Sequence, residues 1–189
     1  MNFVAGFLYF LLQNETSTFT FLDSLIEEYE MDQLFAQNVT LFKGHFYRLD
    51  RLIYFQHPLL SSYLRNEGIN ASLFSSAWFM TLFTNSLQFS KGEAPGDLLL
   101  GIWDTFLLYG WKAIYKAGLF ILGKLKNELM ETQFDLIMLR LSELPKSKFF
   151  EESSNAVEYK KYFKKIKVSN PILELLSEEY NKAIKEPFE

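Results

Sequence analysis

The chain has 189 residues, of which 49% are hydrophobic and 20 are phenylalanine, so it can bury a sizeable core and does not belong to the disordered class. Its net charge of −4 argues against DNA or RNA as a partner, because binding to phosphate backbones needs a basic surface. The sequence contains no cysteine, which excludes disulfides, thiolate zinc sites and a cysteine nucleophile.

Apolar residues recur at helical spacing almost from end to end, whereas strand alternation and hairpin dipeptides are missing. We therefore predict an all-α fold, an irregular bundle of about 8–10 helices. Residues 1–189 are predicted to form a single domain.

The opening apolar run, residues 3–12, predicts a buried helix. It is shorter than the roughly 20 residues that a membrane span needs, and no basic segment of a signal peptide precedes it. A second amphipathic helix follows, for which Thr16 and Ser17 offer an N-cap.

Proline and glycine punctuate the next segment. A helix over 41–56 should end at His57, because the residue before Pro58 is pushed out of the α region. Pro58 suits the first turn of another helix, and Gly68 provides a left-handed stop.

A tryptophan-bearing helix is predicted to start at Asn70, its N-cap, and to continue through Phe83. Trp78, Phe79 and Phe83 belong to an apolar surface too wide for one face, so neighbours should surround this helix almost completely.

A second tryptophan, Trp103, lies in a helix over 97–110 that ends at Gly110. The longest helix is predicted over 111–130, in the centre of the fold, with Gly118 permitting close helix contact. A shorter one covers 132–141.

The tail, residues 146–189, is predicted to contain the terminal helices. The side chains expected to point inward there are Val157, Tyr162, Phe163, Ile166, Ile172, Leu175, Leu176 and Tyr180.

Few residues in this chain suggest chemistry. His45 and His57 have no third ligand at metal spacing, which favours structural or solvent-facing roles and no metal site. Asp104 follows Trp103 in an aromatic run, so a catalytic role through burial is conceivable. A carboxylate in the first turn of a helix, held by a backbone donor or a nearby cation, is favoured because no base or nucleophile stands beside it.

Five lysines cluster between aromatic residues near the carboxy terminus: Lys160, Lys161, Lys164, Lys165 and Lys167. They suit an anionic membrane surface, but the acidic chain as a whole favours a solvated helix face.

Several of these motifs together resemble the carboxy-terminal half of a TBC domain, the helical module that activates Rab-type small GTPases. The residues that carry the resemblance are Met1, Asn2, Pro58, Trp78, Phe79, Phe83, Trp103, Asp104 and Gly110. The resemblance implies an all-α subdomain whose partner is a GTP-bound Rab-type GTPase, with no cofactor, in the cytoplasm or peripherally on endomembranes, and not transmembrane.

Family members use two catalytic residues, an arginine that stabilises transition-state charge and a glutamine that positions water. The glutamine normally stands in a Tyr-x-Gln-Gly stretch directly before Met-Asn, so the resemblance places both before Met1. The four arginines of the chain do not match the arginine motif: Arg48, Arg51, Arg65 and Arg140. We therefore expect no catalytic residue in this chain and no acceleration of GTP hydrolysis by it alone.

Two interpretations of the chain follow from that expectation. It is either part of a Rab GTPase-activating protein or a catalytically silent helical adaptor that binds a small GTPase or another protein. An excised subdomain or an incomplete gene model is favoured over a natural short form, because Phe3, Phe7 and Phe10 would otherwise lose part of their packing partners.

Overall fold

The structure is a computed structural model that describes residues 2–35, 40–87, 95–142, 144 and 154–185. Helices are the only regular secondary structure among these residues, which confirms the all-α prediction. The helices, in chain order, are α1 (Asn2–Leu12), α2 (Glu15–Glu28), α3 (Asp32–Phe35), α4 (Thr40–Gln56), α5 (Pro58–Asn66), α6 (Ala71–Phe74), α7 (Ser76–Thr81), α8 (Asp97–Tyr109), α9 (Trp111–Met130), α10 (Phe134–Ser142), α11 (Ser154–Lys165) and α12 (Asn170–Lys185).

Helix α9 is the centre of the fold, as its small and apolar residues predict. Side chains are buried along nearly its whole length, from Ala113 to Leu129. Its neighbours include α4, α5, α7, α8, α10 and α11. The core therefore surrounds one long helix, and the other elements are arranged by how they pack on it.

Proline and glycine act where the sequence places them. Pro58 occupies the first turn of α5, and Gly68 has a φ of +74°, the left-handed conformation that glycine adopts without steric cost. Asn70 caps α6 by accepting a hydrogen bond from the backbone N–H of Ser72 at 3.0 Å. The cap of α2 precedes the predicted Thr16 and Ser17: the side chain of Asn14 accepts from the N–H of Ser17 at 2.8 Å.

The single helix predicted from Asn70 to Phe83 is instead broken into α6 and α7. At the break, the hydroxyl of Ser75 donates to the carbonyl oxygen of Ala71 at 2.7 Å. Beyond α7, Leu82 and Phe83 have φ values of +48° and +65°. Both side chains are fully buried, so tertiary packing decides the conformation of this segment.

Two predictions about buried faces are corrected. Helix α1 buries Val4, Phe7 and Leu8, but much of its other face is exposed, with Phe3 46% accessible. In the tail, Val157 and Leu175 point outward, whereas Phe163, Ile166 and Leu176 are buried as predicted. Residues 146–153 and 186–189 of the predicted tail lie outside the described residues.

Candidate functional site

The first tryptophan of the motif set anchors α7 on the central helix. Trp78 is 1% exposed and its ring lies 5.2 Å from that of Phe83 and 5.1 Å from that of Phe74, between ring centres. A Cβ atom at Gly118 would stand 3.1 Å from the Trp78 ring, so the close approach of the two helices requires glycine there.

The second tryptophan joins three parts of the chain. Trp103 on α8 donates its indole N–H to the carbonyl oxygen of Leu82 at 3.1 Å, which ties the end of α7 to α8. Its ring centre is 4.6 Å from that of Phe7 on α1. Phe7 is completely buried by residues of this chain, so the predicted loss of part of its packing partners is not observed for this residue.

Gly110 forms the junction between α8 and α9. Its φ of +62° and ψ of −148° lie in a region that is almost restricted to glycine. Beside it, the Trp111 indole donates to the carbonyl oxygen of Tyr29 at 3.1 Å, and the Tyr29 hydroxyl donates to the carbonyl oxygen of Leu107 at 3.2 Å. The end of α2 is thereby fixed to the corner between the two helices.

The remaining motif residues lie apart from this aromatic core. Asn2, Pro58 and Asp104 are exposed, and Met1 lies outside the described residues. Asp104 is in the middle of α8 rather than in its first turn, so neither the buried carboxylate nor the first-turn carboxylate is observed. A side chain open to water here lacks the burial that the catalytic interpretation needed.

A buried cluster of polar side chains that the sequence did not predict connects α4 to α9 through the hydroxyl of Tyr115. The Tyr115 hydroxyl lies 2.8 Å from Nδ1 of His45 and accepts a hydrogen bond from Nη1 of Arg48 at 2.9 Å. Burial, assisted by the Arg48 charge, lowers the pKa of His45 to about 3, and burial raises the pKa of Tyr115 to about 12. His45 is therefore neutral. Because the Tyr115 oxygen already accepts from Arg48, we infer that the Tyr115 hydroxyl donates its hydrogen bond to Nδ1 of His45.

His45 also packs against aromatic rings. Its ring centre lies 4.7 Å from that of Trp111 and 5.0 Å from that of Phe79. These contacts make it a core residue. The only sequence signal for it was its place on the apolar side of α4, since its partner Tyr115 is 70 residues away along the chain.

The arginines each have a neighbour within the described part of the chain. Arg48 donates to Tyr115, Arg51 pairs with Glu179 at 3.1 Å, and Arg140 pairs with Glu128 at 2.8 Å. Arg65 lies close enough to Asp50 to lower the pKa of that carboxyl, although burial outweighs it and raises that pKa to about 6. The four arginines thus each interact with a residue on another helix and support the packing of the helices.

The described residues contain neither a membrane-spanning helix nor a metal-binding cluster. None of their helices combines the length and apolar character that crossing a bilayer requires. Within the same residues, no group of three or more His, Cys, Asp or Glu side chains is arranged to hold a metal ion.

A known protein family matches the part of the chain that contains the tryptophan contacts. The model of the Rab-GTPase-TBC domain matches residues 1–130, from the start of the chain to the last residue of α9. The chain belongs to this family. The matched region contains both tryptophan motifs, Gly110 and the central helix, whereas α10, α11 and α12 follow it.

Similar proteins carry names that fit this family. The chain is 30% identical over 133 residues to a Caenorhabditis elegans protein named Rab GTPase-activating protein eat-17, which covers 70% of the chain and 14% of that protein. It is 29% identical over 188 residues to the Caenorhabditis elegans Rab GTPase-activating protein tbc-11, covering 98% of the chain and 19% of that protein. A Saccharomyces cerevisiae relative, GTPase-activating protein GYP5, is 26% identical over 73% of the chain and 15% of its own length. The chain thus spans less than a fifth of each of these relatives.

Proposed function

We propose that this chain is the scaffold part of a Rab GTPase-activating protein and that it binds a GTP-bound Rab-type GTPase. The match to the Rab-GTPase-TBC domain over residues 1–130 carries this proposal. The similarity to proteins named Rab GTPase-activating proteins supports it, since it extends over most of the chain. The proposed place of action is the cytoplasmic side of endomembranes, without a membrane-spanning segment.

The contact between α1 and α8 suggests how this scaffold would contribute to catalysis in a longer protein. In family members a glutamine directly before the Met-Asn pair positions the attacking water, and Asn2 is the first residue of α1. Phe7, on the same helix, packs in the core against Trp103. We propose that this contact fixes the orientation of α1, and that α1 in turn positions whatever precedes it in an active protein.

A polypeptide of these 189 residues is proposed to bind without accelerating hydrolysis. An arginine supplied by an activator is worth about 10³ to 10⁵ in rate. The arginines of this chain do not match the family motif, and Arg51, Arg48 and Arg140 contact neighbouring helices or side chains. The sequence also contains no Tyr-x-Gln-Gly stretch.

Single-turnover GTP hydrolysis tests this proposal. A panel of GTP-loaded Rab proteins is mixed with an excess of the chain, and phosphate release is followed alongside binding to the same Rabs loaded with a non-hydrolysable GTP analogue or with GDP. We expect at least one Rab to bind in the GTP-like state, with hydrolysis at its intrinsic rate. Acceleration of about tenfold or more would contradict the assignment of catalysis to residues outside this chain. Failure of every Rab to bind would contradict the scaffold proposal.

A helical adaptor is the second candidate, and exposed apolar residues at the end of α8 favour it. Leu108 is 74% exposed, and its neighbours Leu107 and Tyr109 are exposed as well. An adaptor would bind its partner through these exposed side chains. Leu108→Asp should then abolish binding, while Val157→Asp, at an exposed apolar position on α11, should leave it unchanged.

A further inference from the structure

A cavity of about 440 Å³ lies between α9 and α11. Its size falls in the range of small-molecule sites, roughly 300–1,000 Å³, and most of its surface is apolar. Phe120 and Gly123 contribute from α9, and Tyr162 contributes from α11. No part of the activity proposed above uses this cavity.

Contacts between the two helices border the cavity. Nζ of the buried Lys116 donates to the carbonyl oxygen of Phe163 at 2.8 Å. One turn further along α9, the rings of Phe120 and Tyr162 lie 5.5 Å apart between centres. At Gly123, a Cβ atom would stand 3.0 Å from the His57 ring, so glycine lets that ring line the cavity. The packing of α9 and α11 thus forms a preformed apolar site.

Positive charge is concentrated on one side of the cavity. Lys161 and Lys165 are exposed, lie one turn apart on α11 and both line the opening. Neither forms an ion pair with any residue that the structure describes. Lys124, across the opening on α9, pairs with Glu158. Within the described residues, two cationic groups therefore stand beside an apolar surface without an ion pair of their own, and the carboxylate that lines the same opening, Glu158, is paired with Lys124.

A cavity-lining residue also has an unused hydrogen-bonding group. The hydroxyl of Tyr162 is buried and has no partner among the described residues. This oxygen is closed to solvent, so a ligand in the cavity meets the ring of Tyr162 and reaches the hydroxyl only after the side chain moves.

We propose that this cavity binds a small anionic amphiphile, a carboxylate attached to an apolar tail. The tail would lie against Phe120 and Tyr162, and the carboxylate would face Lys161 and Lys165. A nucleotide or a bare phosphate fits less well, because the cavity floor offers few polar groups. An anionic membrane fits less well too, since the lysines border a concave site and the net charge of −4 opposes approach to an extended anionic surface.

Binding of decanoate to the full 189-residue chain tests the proposal. Decanoate is titrated at neutral pH, below the concentration at which it forms micelles, by calorimetry and by amide chemical shifts in NMR spectra. We expect saturable binding with one site, and the largest shifts at the Gly123 amide and its neighbours on α9 and α11. Decyltrimethylammonium, which has the same tail with a positive charge, should bind at least tenfold more weakly.

Matched charge variants locate the carboxylate. Lys161→Gln combined with Lys165→Gln should weaken decanoate binding about tenfold, the combined effect of two partly exposed charge pairs. Lys160→Gln combined with Lys164→Gln removes the same charge from the same helix at exposed positions that do not line the cavity, and should change binding less than about twofold. All these lysines are exposed, so both variants should keep the helical circular dichroism of the unchanged chain.

Three results would overturn the proposal. The first is equal weakening by the two lysine pairs, which would indicate general attraction to a basic helix. The second is the absence of saturable decanoate binding. The third is binding to phosphatidylserine vesicles or to inorganic phosphate with no response to decanoate, which would assign the lysines to a membrane surface or to a simple anion.

Discussion

At the scale of single residues, burial decides the charge state of His45. Its ring is enclosed by aromatic side chains of α7 and α9, and its Nδ1 accepts from Tyr115. A protonated imidazole would lose this hydrogen bond and would be a charge in a desolvated place. The low pKa of His45 therefore links folding to pH.

We predict that His45 makes the fold less stable as the pH falls from about 7.5 to about 5.5. The folded-state pKa of His45 is about 3, below its ordinary value of 6.5, so the unfolded chain takes up a proton in this range and the folded chain does not. The contribution of this residue to the free energy of unfolding should decrease by about 1.4 kcal/mol. Urea unfolding at the two pH values measures it.

A variant of His45 is needed to isolate its contribution, because Asp50 makes the fold more stable as the pH falls. Burial raises the pKa of Asp50 to about 6, so the folded chain gains a proton there as the pH falls. His45→Gln leaves Asp50 in place and should remove most of the His45 contribution. His57→Gln, at a half-buried histidine whose pKa burial also lowers, should remove less. The prediction would be contradicted if the free energy of unfolding changed with pH by the same amount in the unchanged chain and in the His45→Gln variant.

The residues with positive φ are the feature of single residues that could least be predicted from the sequence. Gln13, Glu30, Leu82 and Phe83 all have positive φ, and none is glycine. For a bulky residue such as Phe83 this conformation is rare, and it persists here because the side chain is fully buried and stacked on Trp78. No local pattern predicts such a residue, because the complete burial of its side chain is a property of the assembled core.

At the scale of elements, the contact between α7 and α9 depends on a glycine, which has no side chain, at position 118. Gly118 faces Trp78, and the rings of Phe74 and Phe83 pack against the Trp78 ring and oppose its displacement. Close packing in protein interiors leaves no free volume for an extra methyl group at such a place.

We predict that Gly118→Ala lowers the free energy of unfolding by about 1–3 kcal/mol, the usual cost of overpacking a core. Gly6→Ala is the matched control: Gly6 is also helical, but a Cβ there meets nothing within 4 Å. It should be neutral or raise stability by up to about 1 kcal/mol, because alanine favours helix. Chemical denaturation of both variants measures the difference. If Gly118→Ala were as stable as Gly6→Ala, the contact would not be as tight as described.

The positions of most helices could be predicted from sequence, and their faces could be predicted less well. The helices over 41–56 and 111–130 agree with the observed α4 and α9, because long amphipathic patterns with clear stops are local signals. The outward position of Val157 and Leu175 could not be predicted, since an apolar residue at helical spacing carries no information on which neighbour will cover it.

At the scale of the whole molecule, the helices that follow the family match are part of the same core. Helix α11 packs against α8 and α9, and α12 packs against α4. Tyr159 on α11 is completely buried and its hydroxyl lies 2.8 Å from that of Thr105 on α8. These contacts support the proposal that residues 1–189 form one domain.

Stepwise truncation tests that proposal. A chain ending at Ser142 lacks α11 and α12, and one ending at Ser169 lacks α12 alone. We expect both to melt at lower temperature, and the shorter chain to lose much more, because α11 buries Tyr159 and Phe163 whereas α12 buries mainly Leu176. Thermal unfolding followed by circular dichroism measures it. An unchanged melting temperature in the shorter chain would show that the tail folds separately.

Sequence by itself determined the helical class, the turns at Pro58, Gly68 and Gly110, and the two tryptophan motifs that point to the family. These are signals of backbone conformation and apolar spacing, and they act over a few residues. Tertiary structure alone decided the pairing of His45 with Tyr115, the left-handed turn at Phe83 and the cavity beside Lys161. Each of these depends on residues from distant helices brought together by packing on α9, so no stretch of sequence contains the information.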